Sequence, residues 1–186
     1  MTCIIGIKRD HTVYIGGDKI ATDNDGFFHT IKDSKVFYKD SFLFGCSGSF
    51  RVTQILKYDF DIPSRDESLT DMEYLVSVFI PALQNKLEER KAVKNSDNGQ
   101  EIADYFRMIF AYRKNLYSMY FDYQIQQSSD DILASGIGER IALASMKALN
   151  NLHPRKMIEK SLEIVQELNG SVRGPFTICD TDYNID

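Results

Sequence analysis

The chain opens Met1-Thr2-Cys3-Ile4-Ile5-Gly6-Ile7, and its fold is read from that stretch together with Gly16-Gly17-Asp18 and Ser34-Lys35-Val36-Phe37. Residues 2–8 and 13–18 are β-rich apolar runs parted by Lys8-Arg9-Asp10-His11-Thr12, the pattern of a hairpin. Residues 35–38 and 42–46 repeat it around Lys39-Asp40-Ser41. Thr22 to Gly26 is turn chemistry, and Ser47-Gly48-Ser49 caps a helix over residues 51–58.

Further along, residues 59–69 form a polar connection containing Pro63. A long helical pattern then runs over residues 70–91. Its apolar positions, Met72, Leu75, Val76, Phe79, Leu83 and Leu87, are expected to share one buried face, with a kink or break at Pro81. Residues 94–100 read as a hydrophilic loop. Residues 105–112 and 116–123 are aromatic strand patterns joined at Arg113-Lys114-Asn115. A short buried strand is expected at 132–134, helices at 141–149 and 154–168, and a closing strand at 176–179. Hairpins dominate and helices come in consecutive pairs, which predicts antiparallel sheets with helices packed outside rather than βαβ units. At 186 residues the expectation is a single domain, 1–186.

The bulk properties narrow the function classes. Hydrophobic content of 43% and charged content of 26% suit an ordinary globular protein. A net charge of −5 gives no electrostatic footprint for nucleic acid or an anionic membrane, and no apolar run reaches the roughly 18–20 residues of a membrane span. The start lacks the pattern of a secretory signal. Cys3, Cys46 and Cys179 form no CxxC pair and read as buried free thiols, pointing to a reducing, cytoplasmic compartment. No HExxH, phosphate-binding loop or zinc-spaced cluster is present, so no metal or cofactor is expected. Gly136-Ile137-Gly138 is not completed as GxGxxG, Gly45-Cys46-Ser47-Gly48 misses the nucleophile-elbow spacing, and His11, His29 and His153 sit at expected solvent-facing positions.

Thr2 is the surviving nucleophile candidate. Removal of Met1 would leave a hydroxyl and a free α-amine on one residue, and that amine can take the hydroxyl proton. An unperturbed α-amine titrates near 7.7–8.0, so a neutral fraction exists around physiological pH (roughly). Asp18 and Lys35 follow at the end of one strand pattern and the start of another. A lysine ammonium beside the threonine disfavours the protonated amine and stabilises negative charge on the hydroxyl oxygen, while an aspartate keeps that lysine charged and in place.

The surrounding segments carry a resemblance. Thr-Cys-Ile-Ile-Gly-Ile (2–7), Ile-Gly-Gly-Asp-Lys-Ile-Ala-Thr (15–22), Ser-Lys-Val-Phe (34–37) and Phe-Gly-Cys-Ser-Gly-Ser (44–49) resemble the successive opening motifs of the proteasome β-type and HslV-like family of N-terminal threonine peptidases. Ala134 to Gly138 resembles that family's later glycine turn. The likeness is strong over the first 50 residues and weak over 59–104. It implies a four-layer αββα Ntn-hydrolase sandwich, an α+β fold of two antiparallel sheets flanked by helix pairs.

On matching positions the resemblance implies Thr2 as nucleophile and base, Asp18 as the holder of the lysine, and Lys35 as that lysine, with Lys32 the alternate. It implies the backbone N–H of Gly45 as oxyanion donor and Thr22 as the main-chain anchor for an extended peptide. Ala21, Leu43 and Ser47 would then lie near a small, apolar first specificity pocket. The family's supporting serine in the glycine turn is replaced by Ile137, and its supporting acid and serine near the last helix would be Glu167 and Ser171 (or Gly170). Implied partners are polypeptide substrates, other copies of the chain in a homo-oligomeric ring, and an ATPase unfoldase. Two alternatives stay open: a catalytically silent ring subunit, favoured by Ile137 and by a retained Met1, and an Ntn amidohydrolase for a small amide.

Overall fold

A computed structural model of the protein describes residues 2–22, 27–95, 101–103 and 105–182. Met1 and residues 23–26, within the expected turn, lie outside them, as do residues 96–100 of the expected loop.

The first hairpin is β1 (Cys3–Arg9) and β2 (Thr12–Asp18), and a short ribbon follows, β3 (Ile20–Thr22) with β4 (Phe28–Thr30). The second hairpin is β5 (Val36–Lys39) and β6 (Phe42–Ser47), leading to α1 (Phe50–Tyr58), whose first turn is capped by the Ser49 side chain. Next come α2 (Asp71–Tyr74), a π-helical turn (Leu75–Phe79) and α3 (Ile80–Glu89), then the ribbon β7 (Val93–Asn95) and β8 (Glu101–Ala103). The third hairpin is β9 (Arg107–Tyr112) and β10 (Asn115–Met119), extended by β11 (Ile125–Gln127). The chain ends with β12 (Ile132–Gly136), α4 (Glu139–Ala148), α5 (Pro154–Leu168) and β13 (Phe176–Asp180).

These elements make one sheet in the order β12-β1-β2-β13 and another in the order β11-β10-β9-β6-β5, with all pairings antiparallel. Period-two alternation explains the layering, because successive side chains point to opposite faces. In β1, Ile4 enters the apolar layer between the sheets with Val13, Ile15, Leu43 and Ile109. Cys3, Ile5 and Ile7 face the other way, onto Met146, Ile158 and Leu162 of α4 and α5. In β6 and β9, Phe42, Phe44, Met108 and Phe110 pack outward against Leu56, Phe79 and Leu83 of the first helix pair. A strand buried on both faces reads as a continuous apolar run, as these do. The result is the expected αββα sandwich.

Pro81 produces a change of helical register rather than a break. The Ile80 N–H donates to the Leu75 carbonyl in a wide π turn immediately before the proline, an irregularity that relieves the clash between a proline ring and the preceding turn. The extra residue shifts the helix face. Leu75, Phe79, Leu83 and Leu87 are buried as expected, but Val76 turns out to solvent. Lys94 and Asn95, at the start of the expected loop, lie instead in a strand, since Val93–Asn95 pairs with Glu101–Ala103.

Candidate active site

Thr2 stands at the entry of β1, between the end of β12 on one side and the end of β2 on the other. Its carbonyl accepts a hydrogen bond from the Ile137 N–H at 2.9 Å, and the next amide, Cys3 N–H, donates to Asp18 Oδ1 at 2.8 Å. Gly136 makes the first contact possible. It sits at φ +96°, and a Cβ there would lie 2.1 Å from the Thr2 carbonyl oxygen. Gly136→Ala therefore combines left-handed backbone strain with a backbone clash, and should cost on the order of 2–4 kcal/mol of stability. Urea denaturation checks this against Gly170→Ala, an open position with nothing within 4 Å of its Cβ and an expected change near zero.

Lys35 lies immediately before β5 and reaches across the gap between the sheets to the threonine. Its ammonium spends three donors on three acceptors: Thr2 Oγ1 at 2.9 Å, Asp18 Oδ2 at 2.7 Å and the Ile20 carbonyl at 2.6 Å. Asp18 in turn accepts from the Cys3 N–H and, at 3.2 Å, from the Ile20 N–H. Thr2, Asp18 and Lys35 are all buried, at 4%, 1% and 3% exposure, so the ion pair is held in low dielectric and its geometry is fixed by backbone on every side.

Burial lowers the Lys35 pKa below the ordinary lysine value, against the opposing pull of the Asp18 charge. The Cys3 thiol is pushed up to about 12, first by burial and then by the Asp18 carboxylate, so it is inert. The alternate lysine, Lys32, is exposed at the surface.

Two implied positions are corrected. Gly45 is not an accessible donor: it lies inside β6, paired with Val36 on one side and Ile109 on the other, and is fully buried. It is glycine for a packing reason, because a Cβ there would meet Ile4 Cγ2 at 2.6 Å and Ile15 Cγ2 at 2.7 Å between the sheets. Leu43 belongs to the same inter-sheet layer, at 1% exposure, and does not line a surface pocket.

At the end of the strand lies the helix cap read from the sequence, Ser47-Gly48-Ser49, whose Gly48 has no part in the site that reading expects. Gly48 is exposed, leaves β6 at φ +92°, and shares a cleft with Ser47 and Gly136, the glycine seated against Thr2. Ser49 then starts α1, and the Lys35 ammonium stands 5.5 Å above the Phe50 ring in that helix's first turn. A backbone turn and a helix N-terminus thus lie close to the Thr2–Lys35 pair, a combination that can serve an oxyanion. Ser47 Oγ lies 2.7 Å from Ser135 Oγ, tying β6 to β12 beneath the site.

The remaining positions fall around this centre. Ala21 and Thr22 are half-buried on β3, which pairs with β4 through Ala21↔His29 and Thr22↔Phe28. Ile137 is 51% exposed beside the Thr2 carbonyl. Glu167 is exposed on the last turn of α5, and Ser171 is half-buried in the following turn, its amide donating to Asn169 Oδ1 at 3.0 Å.

With this geometry in hand, the chain can be set beside known proteins. No protein-family model and no curated protein sequence matches it. Solved structures do. BPH from Thiobacillus denitrificans superimposes with a TM-score of 0.80 at 16% identity, covering 96% of each chain, and a second structure of that protein is a complex with epoxomicin. HslV from Trypanosoma brucei gives a TM-score of 0.66 at 16% identity over 96% of this chain and 98% of its own. Anbu from Yersinia bercovieri gives 0.65 at 9% identity over 97% and 81%. The chain shares its αββα fold with these proteins. Among the described residues no helix is long and apolar enough to cross a membrane.

Proposed function

We propose that the chain, once Met1 is removed, is an N-terminal threonine peptidase. The observation that carries the reading is the Lys35 ammonium 2.9 Å from Thr2 Oγ1, charged by its pair with a buried Asp18. Thr2 Oγ attacks the scissile carbonyl carbon while its proton passes to the α-amine. Lys35 stabilises the negative charge as it grows on Oγ. The new oxyanion is taken by the backbone at Gly48 and the start of α1. Collapse breaks the C–N bond, the α-ammonium returns its proton to the departing amine, and an ester on Thr2 remains. Water, deprotonated by the same amine, cleaves the ester and restores the hydroxyl.

In this reading an extended peptide is held by the main chain at Thr22 along β3, with Ala21 and Ser47 beside its first side chain. The protomer works in a homo-oligomeric ring whose chamber admits unfolded polypeptide, delivered by an ATPase unfoldase. The fold shared with BPH, HslV and Anbu supports the ring. A silent structural subunit is the second reading. Ile137 favours it, since an aliphatic side chain at the Thr2 carbonyl offers no hydrogen bond to a terminal amine.

Epoxomicin separates the two. It is the ligand of the second BPH structure, and covalent capture of it at the first residue of this chain would require Thr2 to be a free terminus. Intact-mass spectrometry of the purified protein should show loss of Met1 and, after incubation, one inhibitor added to the peptide beginning at Thr2. A chain that starts at Thr2 yet takes up no inhibitor and cleaves no fluorogenic peptide would support the silent subunit and refute the peptidase.

A further inference from the structure

One flank of Thr2 holds Asp18, Ile20 and β3. On the opposite flank, beyond β12, a cleft of about 580 Å³ is lined by Arg107, Tyr120, Gly136, Ile137, Glu139 and Arg140. It joins the smaller cleft at Ser47 and Gly48 through two shared residues, Arg107 and Gly136. Gly136 is the residue seated against the Thr2 carbonyl, so the cleft begins at the nucleophile's own backbone.

Its walls are chemically selective. The Arg107 guanidinium lies 5.1 Å from the Tyr120 ring centroid and 5.7 Å from that of Phe121, which hold it in place by cation–π attraction. Among the described residues its guanidinium has one hydrogen-bond acceptor, Glu139 Oε2, and that bond is long at 3.4 Å. A guanidinium has five N–H donors in a planar fork that matches a carboxylate, so a single long bond leaves most of that capacity unspent on a residue that lines the cleft. Arg140 adds a second cation to the lining against the lone acid, Glu139.

We propose that this cleft is a subsite for a carboxylate on the segment of substrate that departs after cleavage, with Arg107 as the residue that binds it and Glu139 as its resident competitor. The inference rests on the peptidase reading for the side assignment. If β3 holds the half that becomes the ester, the half leaving as the amine lies across Thr2, over Gly136, and reaches Arg107. The carboxylate could be an acidic side chain or a free C-terminus.

Binding to the Thr2→Ala protein tests the subsite without requiring turnover. The probes are fluorescent peptides of one sequence whose downstream end carries Asp with an amidated terminus, Ala with a free terminus, or Ala with an amidated terminus. Anisotropy should show tighter binding of one or both carboxylate peptides by about tenfold, the scale of one charge-assisted pair; which one does so identifies the source. Arg107→Met should erase that preference and leave the uncharged peptide unchanged, Arg107→Lys should keep part of it, and Glu139→Gln should enlarge it. The opposite signs at Arg107 and Glu139 are not what general damage to the cleft produces. Equal binding of all three peptides, or a preference that survives Arg107→Met, would overturn the subsite. Failure of the peptidase reading shows elsewhere, as absence of cleavage by the protein with Thr2 intact.

Discussion

On the peptidase reading proposed above, Thr2→Ala should abolish peptide hydrolysis while leaving the protein folded, with a loss of at least about 10⁴-fold in kcat for a fluorogenic peptide. The size of the loss follows from the absence of a substitute. Among the described residues the buried ammonium of Lys35 is aimed at this one hydroxyl, and the neighbouring thiol, Cys3, is held protonated by burial. Stability should change by about 1 kcal/mol, the worth of one hydrogen bond, because Lys35 keeps Asp18 and the Ile20 carbonyl as acceptors. Thr2→Ser preserves the oxygen and should keep measurable turnover. Thermal melting and kinetics on the same samples, with intact mass confirming loss of Met1, separate a missing nucleophile from a damaged fold. Unchanged kcat in Thr2→Ala would remove Thr2 from the mechanism.

The meeting of Thr2, Asp18 and Lys35 was legible in the sequence because they sit where strand patterns begin and end, and hairpins put strand ends side by side. Thr2, Asp18 and Lys35 needed only correct strand limits to be brought together. Gly45 and Gly48 were not separable in that way. Both lie in Phe44-Gly45-Cys46-Ser47-Gly48, and the choice depends on where β6 stops, which is set by pairing with Arg107 on a strand some sixty residues later. Leu43 shows the complementary limit. A strand buried on both faces carries no polar alternation, so nothing local says whether a given leucine faces the helices, the other sheet or a pocket. Val76 was misread because helical periodicity assumes a constant turn, and the π turn before Pro81 breaks that assumption. The Arg107 cleft could not be read at all, since it is assembled from the ends of β9, β10 and β12 and the start of α4.

Lys35→Met should damage both hydrolysis and the fold, because one ammonium serves Thr2 and Asp18 together. Hydrolysis loses the cation beside Thr2 Oγ1, worth about 10³-fold or more. The fold loses the side-chain donor to a carboxylate that is 1% exposed, a donor that a neutral lysine amine keeps and Met cannot supply, and leaving that carboxylate unpaired costs about 3–5 kcal/mol. Adding Asp18→Asn removes the stranded charge. The double variant should therefore be more stable than Lys35→Met alone, with a coupling of about 1–3 kcal/mol, and yet remain inactive. Lys32→Ala, at an exposed position, should leave stability within about 0.5 kcal/mol and activity near that of the parent. The same lysine sets the alkaline behaviour. Its folded pKa is lowered by burial, so its charge is lost as pH rises through a value below the ordinary 10.5, and kcat/KM should fall there. Stability moves the other way in that window. A lysine held below its unfolded pKa weakens the fold while protonated, and that cost is relieved as pH climbs from the lowered value toward 10.5. Activity should thus fall while the contribution of Lys35 to folding improves. Parallel pH profiles of turnover and of the urea midpoint would expose that divergence, and a common decline of both would mean that the alkaline limb reports unfolding and not the ammonium beside Thr2.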